Sequence, residues 1–266
     1  MSAIEFPSLN PPIWPARLTS TGLWLIGISL LLILIAGPLN KFGIAGFRPA
    51  LLTLAGGMLM LVVGALLTIV GFLFAAAKGT PVPRGVTALA IIAGLGVIFY
   101  LLTWLRAGMG VPPIHEISTD VATPPPFVAI KAIRDAIPGL NPSDYIAEQP
   151  GRGGATLNVP QAQQKAYPDI QPLMLQLAPE QAFARAEAAA KALGWEIVAS
   201  VPAEGRLEAT DTTRFFGFKD DVVVRLRAES GGTRVDVRSK SRVGLGDAGT
   251  NAARVRKFLE KVGEGA

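Results

Sequence analysis

Three long apolar runs without a charged residue constrain this chain more than any other feature. They cover residues 22–39, 50–77 and 85–105. A helix needs about 20 apolar residues to cross the roughly 30 Å hydrocarbon core of a bilayer. The sequence therefore predicts three transmembrane helices, a membrane domain over residues 1–110 and contact with a lipid bilayer. Buried helices of a large soluble protein are the alternative explanation for such runs.

The excess positive charge of the chain belongs to this membrane domain. The net charge is +5, and residues 1–111 contain six basic residues and one acidic residue. The 19 basic and 19 acidic residues of 112–266 cancel each other. Because basic residues commonly flank membrane spans, the charge does not indicate a nucleic-acid partner. The chain contains no cysteine, which excludes disulfides and thiolate metal ligands.

The second apolar run carries a stripe of glycines at a helical spacing. Gly57, Gly64 and Gly71 are seven residues apart, so they lie on one face of a helix. Small residues on one face let another helix approach closely. We expect the stripe to pack against the chain's own helices, and docking onto another membrane protein is the alternative.

The remainder of the chain has the composition of a soluble domain. Residues 111–176 are rich in proline and glycine, which predicts an extended segment wrapping a core. Residues 177–266 are the expected core: a helix near 178–194, strands near 195–201, 206–213, 221–229 and 233–241, and a closing helix near 248–262. Short turns favour antiparallel pairing. Alternation points Val222, Val224, Leu226, Val235 and Val237 towards the core. The helical pattern of the closing helix places Arg254, Arg256, Lys257 and Lys261 in water. The predicted fold is thus three transmembrane α-helices followed by an α+β domain, an antiparallel sheet with two helices packed on one face.

The end of the last strand and the turn after it form a candidate anion site. Alternation along the strand predicts that its basic side chains face water, next to a glycine turn and a helix N-terminus. Such an arrangement of cations and bare amide groups suits an anion. The candidate residues are Arg238, Lys240, Arg242, Gly244, Gly246 and Asn251.

A solvated face that is neutralised within the domain is one alternative to this anion site, and a contact with another protein is a second. Asp247 is placed to cap the closing helix and to take its amide donors. Glu208 and Asp236 are placed to neutralise the cations of the sheet. Two serines of the last strand, Ser239 and Ser241, point inward and need polar partners, for which Asp220, Asp221 and Asp247 are the candidates.

Asp220 and Asp221 form a second, acidic candidate site. Adjacent carboxylates can hold a hard cation or act in acid–base chemistry, and they can also pair with neighbouring arginines. His115 is the only histidine, which argues against a catalytic triad and a zinc site. We therefore assign no catalytic residue, no metal and no cofactor from the sequence.

Four segments resemble a known family. They are "IHEISTD" at 114–120, "YPDIQPL" at 167–173, "FFGFKDDVVVRLR" at 215–227 and "VDVRSKSRVGLGDAGTNAARVRKFL" at 235–259. They resemble the bacterial and plastid family called domain of unknown function 1499. Members of that family often carry a membrane anchor or an export signal. The resemblance implies a bacterial inner-membrane protein with an extracytoplasmic C-terminal domain, and it implies no particular activity.

The expected function follows from two features of the sequence. Three apolar runs can anchor the chain in a membrane, and no set of residues forms a recognisable catalytic motif. We expect a membrane-anchored envelope protein whose soluble domain binds a partner or an anionic headgroup. The sequence favours a binding protein over an enzyme. One alternative is an enzyme acting on envelope lipid or glycan, with Asp220, Asp221 and the basic residues around Arg242 as its site. The other is an accessory subunit of a membrane complex, docked through the glycine stripe.

Overall fold

The computed structural model describes residues 11–264 and divides the chain into two compact units. The first unit ends at Leu105 and the second begins at Arg106, with the short turn Phe215–Gly217 grouped with the first. The predicted membrane domain starts at residue 1, and the predicted core ends at residue 266. Residues 1–10 and 265–266 of these predictions therefore lie outside the described residues.

The first unit contains the first two predicted helices and most of the third, and each of the three helices is somewhat longer than its apolar run. They are α1 (Trp14–Lys41), α2 (Phe47–Lys78) and α3 (Arg84–Met109). Their mean hydropathy values, 2.3, 2.6 and 2.3, and their lengths are sufficient to cross a bilayer. The predicted order of three long apolar helices before a domain of strands and helices is confirmed.

The glycine stripe of α2 faces α1 of the same chain. A Cβ atom at Gly71 would lie 2.5 Å from the backbone nitrogen of Thr19, and one at Gly64 would lie 3.0 Å from that of Ile26. The distance at Gly71 is too short for a side chain and the distance at Gly64 is tighter than most Cβ contacts, so the glycines allow the two backbones to approach. The glycine stripe of α2 therefore packs against α1 of the same chain, as expected.

The second unit is built on a six-stranded antiparallel sheet. The strands of this unit are β1 (Glu116–Ser118), β2 (Glu148–Pro150), β3 (Thr156–Asn158), β4 (Leu173–Leu175), β5 (Glu196–Val201), β6 (Arg206–Thr212), β7 (Lys219–Glu229) and β8 (Gly232–Ser241). The strand order in the sheet is β1-β8-β7-β6-β5, and β4 also pairs with β8, on the edge that β1 occupies. A separate two-stranded ribbon is formed by β2 and β3.

Two helices, α6 (Pro179–Ala192) and α7 (Thr250–Gly263), contribute to the main apolar core. α6 begins at a proline, which suits the first turn, and ends before Gly194, whose φ of +80° stops the helix. The core contains the inward valines of β7 and β8, and Trp195 stacks on Phe258 at 5.1 Å. The predicted α+β architecture is confirmed.

The proline- and glycine-rich segment, residues 111–176, also contributes regular structure to this unit. It supplies the edge strands β1 and β4, the ribbon, and the helices α4 (Ala129–Asp135) and α5 (Val159–Ala166). Phe127 and Ile130 pack against Val223 on the sheet face opposite α6 and α7. Residues 120–145, which include α4, are named the cover segment below because they lie over this second face.

Candidate functional site

The two adjacent carboxylates, Asp220 and Asp221, lie on opposite faces of the sheet. Asp220 faces the helices and accepts a hydrogen bond from Arg254 at 2.6 Å. Asp221 faces the cover segment, where Arg242 donates to both of its oxygens at 2.8 and 2.9 Å. Because successive residues of a strand point to opposite faces, the structure does not bring the two carboxylates together into one acidic site.

The cations of the candidate anion site are engaged inside the domain. Arg238 and Lys240 are 2% and 0% exposed, so the prediction that they face water is wrong. Both pair with Glu116 of β1, Lys240 at 3.0 Å, and β1 is aligned opposite them on β8. Arg242 pairs with Asp221. The three cations thus neutralise internal carboxylates.

Backbone carbonyl groups of the cover segment complete this buried cluster. Arg238 donates to the carbonyl oxygens of Pro125 at 3.0 Å and Ser143 at 2.7 Å. Lys240 donates to the carbonyl oxygen of Asp144 at 2.6 Å. Burial of a charge is tolerated when its donors are paired, so these bonds explain why the cations can lie out of water. The sequence carries no side-chain signal for carbonyl partners.

Burial shifts the ionisation of two groups in this region. The pKa of Lys240 is lowered to about 8 by loss of water, although Glu116 partly offsets the effect. The pKa of His115 is lowered to about 4, chiefly by burial and secondly by the positive charge of Lys240. His115 is therefore neutral at pH 7, which keeps a further positive charge out of the cluster.

Glu208 fastens the start of α4 to the sheet. Its carboxylate is fully buried and accepts hydrogen bonds from the backbone N–H groups of Val128, Ala129 and Ile130 at 2.8 to 3.2 Å. It also pairs with Arg206. A carboxylate at a helix N-terminus satisfies donors that otherwise lack partners. Glu208 and Asp236, which pairs with Arg225, Arg227 and Arg234, neutralise the face as expected.

A polar layer joins β8 to α7 on the helix-covered face. Ser239 donates to Asn251 at 2.6 Å, and Asn251 donates to Ser241 at 2.9 Å. The serines therefore bond to a side chain of α7 rather than to the aspartates considered for them. Arg254, which the helical pattern placed in water, is buried and bonds to Ser239 and Asp220.

The turn before α7 does not leave the helix start bare. Asp247 accepts hydrogen bonds from the N–H groups of Gly249 at 2.8 Å and Asn251 at 2.7 Å, which confirms its predicted capping role. Gly244 and Gly246 lie in the exposed loop that precedes this cap. The carboxylate of Asp247 thus already interacts with the positive end of the α7 helix dipole.

A polar cleft opens elsewhere, at the ends of β6 and α6 and along the first two turns of α7. Its volume is about 660 Å³. Thr250, Ala253 and Lys257 contribute one face of α7, since residues three and four apart lie side by side on a helix. The other lining residues are Leu193, Gly194, Trp195, Asp211, Thr212, Thr213, Arg214 and Arg254.

The charge of this cleft is positive. Lys257, Arg214 and Arg254 line it against one acidic residue, Asp211, which already pairs with Arg254 at 2.7 Å. Lys257 is exposed and makes no ion pair with any residue between 11 and 264. The sequence pattern assigned Lys257 only to a solvated helix face, because the residues opposite it come from distant strands. Within residues 11–264, no group of three acidic or histidine side chains is placed to hold a metal ion.

Comparison with models of known protein families gives a match. The family model described as "Protein of unknown function (DUF1499)" matches residues 116–262, which is more than half of the chain. No curated protein and no solved structure matches the chain. The matched range covers the whole sheet, α6, α7 except its last residue, and the lining of the polar cleft.

Proposed function

The chain belongs to the family of proteins of unknown function DUF1499, and we propose that it is a membrane-anchored envelope protein whose α+β domain binds an anionic ligand in the polar cleft. The three apolar helices supply the anchor. The α+β domain contains the polar cleft, and ligands generally bind in concave sites that are lined by a few polar groups on a rigid scaffold. Binding a ligand is the role this combination supports best.

The observation that carries the proposal is the charge of the cleft. Lys257 is an exposed ammonium group on α7, and Arg214, two residues after the end of β6, also lines the cleft. The threonines at 212, 213 and 250 add hydroxyl groups that can donate to anion oxygens. Cations and hydroxyl donors around a cavity of this size favour an anion that also carries polar atoms.

The cations first expected to bind the anion are less suitable for this role. Buried carboxylates and carbonyl groups already accept hydrogen bonds from Arg238, Lys240 and Arg242. An external anion would have to displace these internal partners and reach a covered face. We therefore place the ligand beside Lys257, on the opposite side of the sheet from the buried cluster.

The test is a thermal-shift titration of the detergent-solubilised full chain. Inorganic phosphate is added and compared with chloride at equal ionic strength, because a ligand that binds the folded state raises the melting temperature. Lys257→Ala removes the charge, and Ala253→Leu narrows the cleft without changing charge. Lys191→Ala is the control, since Lys191 is exposed on α6 and pairs only with Glu187 among the described residues.

The expected result is a phosphate-specific rise in melting temperature for the parent chain and the control. Both cleft variants should lose most of that rise. No phosphate-specific shift, or an equal shift in all four proteins, would overturn the cleft as the ligand site.

We also propose that the α+β domain is extracytoplasmic and that the membrane is the bacterial inner membrane. Three spans place the two ends of the membrane domain on opposite sides, and the family resemblance favours an exported domain. Alkaline phosphatase, which is active only outside the cytoplasm, is fused after residue 266, and green fluorescent protein is fused there in a parallel strain. Phosphatase activity is expected, and a fluorescent fusion without phosphatase activity would reverse the orientation.

A further inference from the structure

The turn between β6 and β7 is short, aromatic and flanked by basic residues. Its sequence is Arg214-Phe215-Phe216-Gly217-Phe218-Lys219. The backbone N–H of Thr213 donates to the carbonyl oxygen of Phe218 at 2.9 Å, and the N–H of Phe218 donates to Thr213 Oγ1 at 2.9 Å. Gly217 has a φ of +68°, which suits glycine. The two bonds close the turn, so the aromatic side chains are presented on a fixed loop.

One of these aromatic side chains is exposed. Phe215 is 45% exposed, and its ring meets that of Phe216 edge to face, with centroids 5.0 Å apart. An exposed phenylalanine on a fixed turn leaves apolar area in water, which is unfavourable. Basic and aromatic residues together are typical of segments in the headgroup layer of a bilayer, where rings and cations both find partners.

The same turn is continuous with the polar cleft. Thr212, Thr213 and Arg214 line the cleft, and Phe215 is the next residue along the chain. An extended chain spans at most about 3.6 Å per residue, so Phe215 lies within about 11 Å of the three lining residues along the backbone. A surface that receives the aromatic turn therefore comes close to the cleft.

We propose, on the basis of the proposed function, that the turn at residues 214–218 lies in the headgroup layer of the bilayer that holds the anchor, and that the anion in the cleft is the phosphate ester of a lipid headgroup. The three helices keep the domain at the membrane, so the local concentration of lipid is high. A modest intrinsic affinity is then sufficient for occupancy. The hydroxyl groups of the cleft match the polar atoms of a glycerol phosphate.

The position of the turn is tested with a single spin label. Because the chain contains no cysteine, Phe215→Cys introduces the only thiol, and Glu180→Cys at the exposed start of α6 gives the matched control. Each full-length variant is labelled with a nitroxide and placed in nanodiscs of phosphatidylglycerol and phosphatidylcholine. Collision with oxygen, which is enriched in the bilayer, is compared with collision with a water-soluble nickel chelate.

The label at residue 215 should collide mainly with oxygen, and the label at 180 mainly with nickel. Mainly nickel collisions at 215 would place the turn in water and overturn the proposal. Low collision with both reagents would show that protein covers the turn, and it would overturn the proposal equally.

The ligand is tested separately with two soluble probes, short-chain phosphatidylglycerol below its micelle concentration and glycerol 3-phosphate. Both should bind the parent chain, the lipid at least about tenfold more tightly, and Lys257→Ala should weaken both by about fivefold or more. Equal affinity for the two probes would support a soluble phosphate ester and overturn the lipid assignment while the proposed function survives. Binding of neither probe would overturn the proposed function as well.

Discussion

Asp220 and Asp221 are neighbours in the chain, and their carboxylates lie on opposite faces of the sheet. Asp220 meets Arg254 of α7, and Asp221 meets Arg242 of the strand end and Arg134 of α4. Each carboxylate therefore fastens a different layer to the sheet. A pair of adjacent strand residues is a poor candidate for one shared cation, because the backbone separates the two side chains.

Replacement of Asp221 should impair stability. Asp221→Asn leaves Arg242 and Arg134 buried without a carboxylate, because the Asp221 side chain is fully buried and lies 2.8 and 3.3 Å from them. We expect the free energy of unfolding to fall by about 3–5 kcal/mol. Thermal and chemical unfolding of the full chain in detergent measures the change.

The matched control is Asp135→Asn, the same replacement in an exposed pair with Lys131. Exposed ion pairs contribute little, so its melting temperature should stay close to that of the parent. Equal melting temperatures for the two variants would show that the buried ion pairs of Asp221 are not important for stability.

Alternation along the strands predicted which valines form the core, but the prediction of one acidic site overlooked that alternation also separates Asp220 from Asp221. It could not predict that the second face is covered. The cover segment lacks a regular apolar period, and it binds Arg238 and Lys240 through the carbonyl groups of Pro125, Ser143 and Asp144. Every residue has such a carbonyl, so no residue type marks the contact. Asn251 was predicted to bind an anion, whereas the packing of α7 against β8 makes it the hydrogen-bond partner of Ser239 and Ser241.

Replacement of Glu208 should loosen the cover segment locally. Glu208→Gln keeps the size of the side chain but weakens its bonds to the N–H groups of Val128, Ala129 and Ile130, since hydrogen bonds to a charged acceptor are the stronger ones. Hydrogen–deuterium exchange of residues 128–137 should accelerate, while exchange in α7 should not change. Uniform acceleration across the domain would instead indicate global destabilisation.

Acid should destabilise the domain through His115. The pKa of His115 is about 4 in the folded chain and about 6.5 when exposed, so between these values the unfolded chain binds the extra proton. Stability is therefore complete above pH 6.5 and falls as the pH drops towards 4, by up to roughly 3 kcal/mol. The melting temperatures of the parent and of His115→Gln are measured from pH 7 to pH 4, and that of the parent should fall further. Parallel curves would contradict this contribution.

Alkali should have the opposite effect through Lys240. Its pKa is about 8 in the folded chain, below the ordinary 10.5, because burial disfavours its charge. Between these values the unfolded chain keeps a proton that the folded chain has lost, so stability rises with pH. Lys240→Met should match or exceed the parent at pH 7, because Glu116 keeps its pair with Arg238. Its advantage should shrink from pH 8 to pH 10, and a constant difference would argue against titration of Lys240.

The close pairing of α1 and α2 gives a prediction for the membrane unit. Gly71→Leu introduces a Cβ atom 2.5 Å from the backbone of Thr19, so the helices must separate and the unfolding temperature in detergent should fall. Gly56→Leu is the control in the same helix, because nothing lies within 4 Å of a Cβ at that position. If partner binding through the stripe were its main role, Gly71→Leu would remove co-purifying proteins and leave the unfolding temperature unchanged. We expect the reverse, because α1 already occupies the stripe.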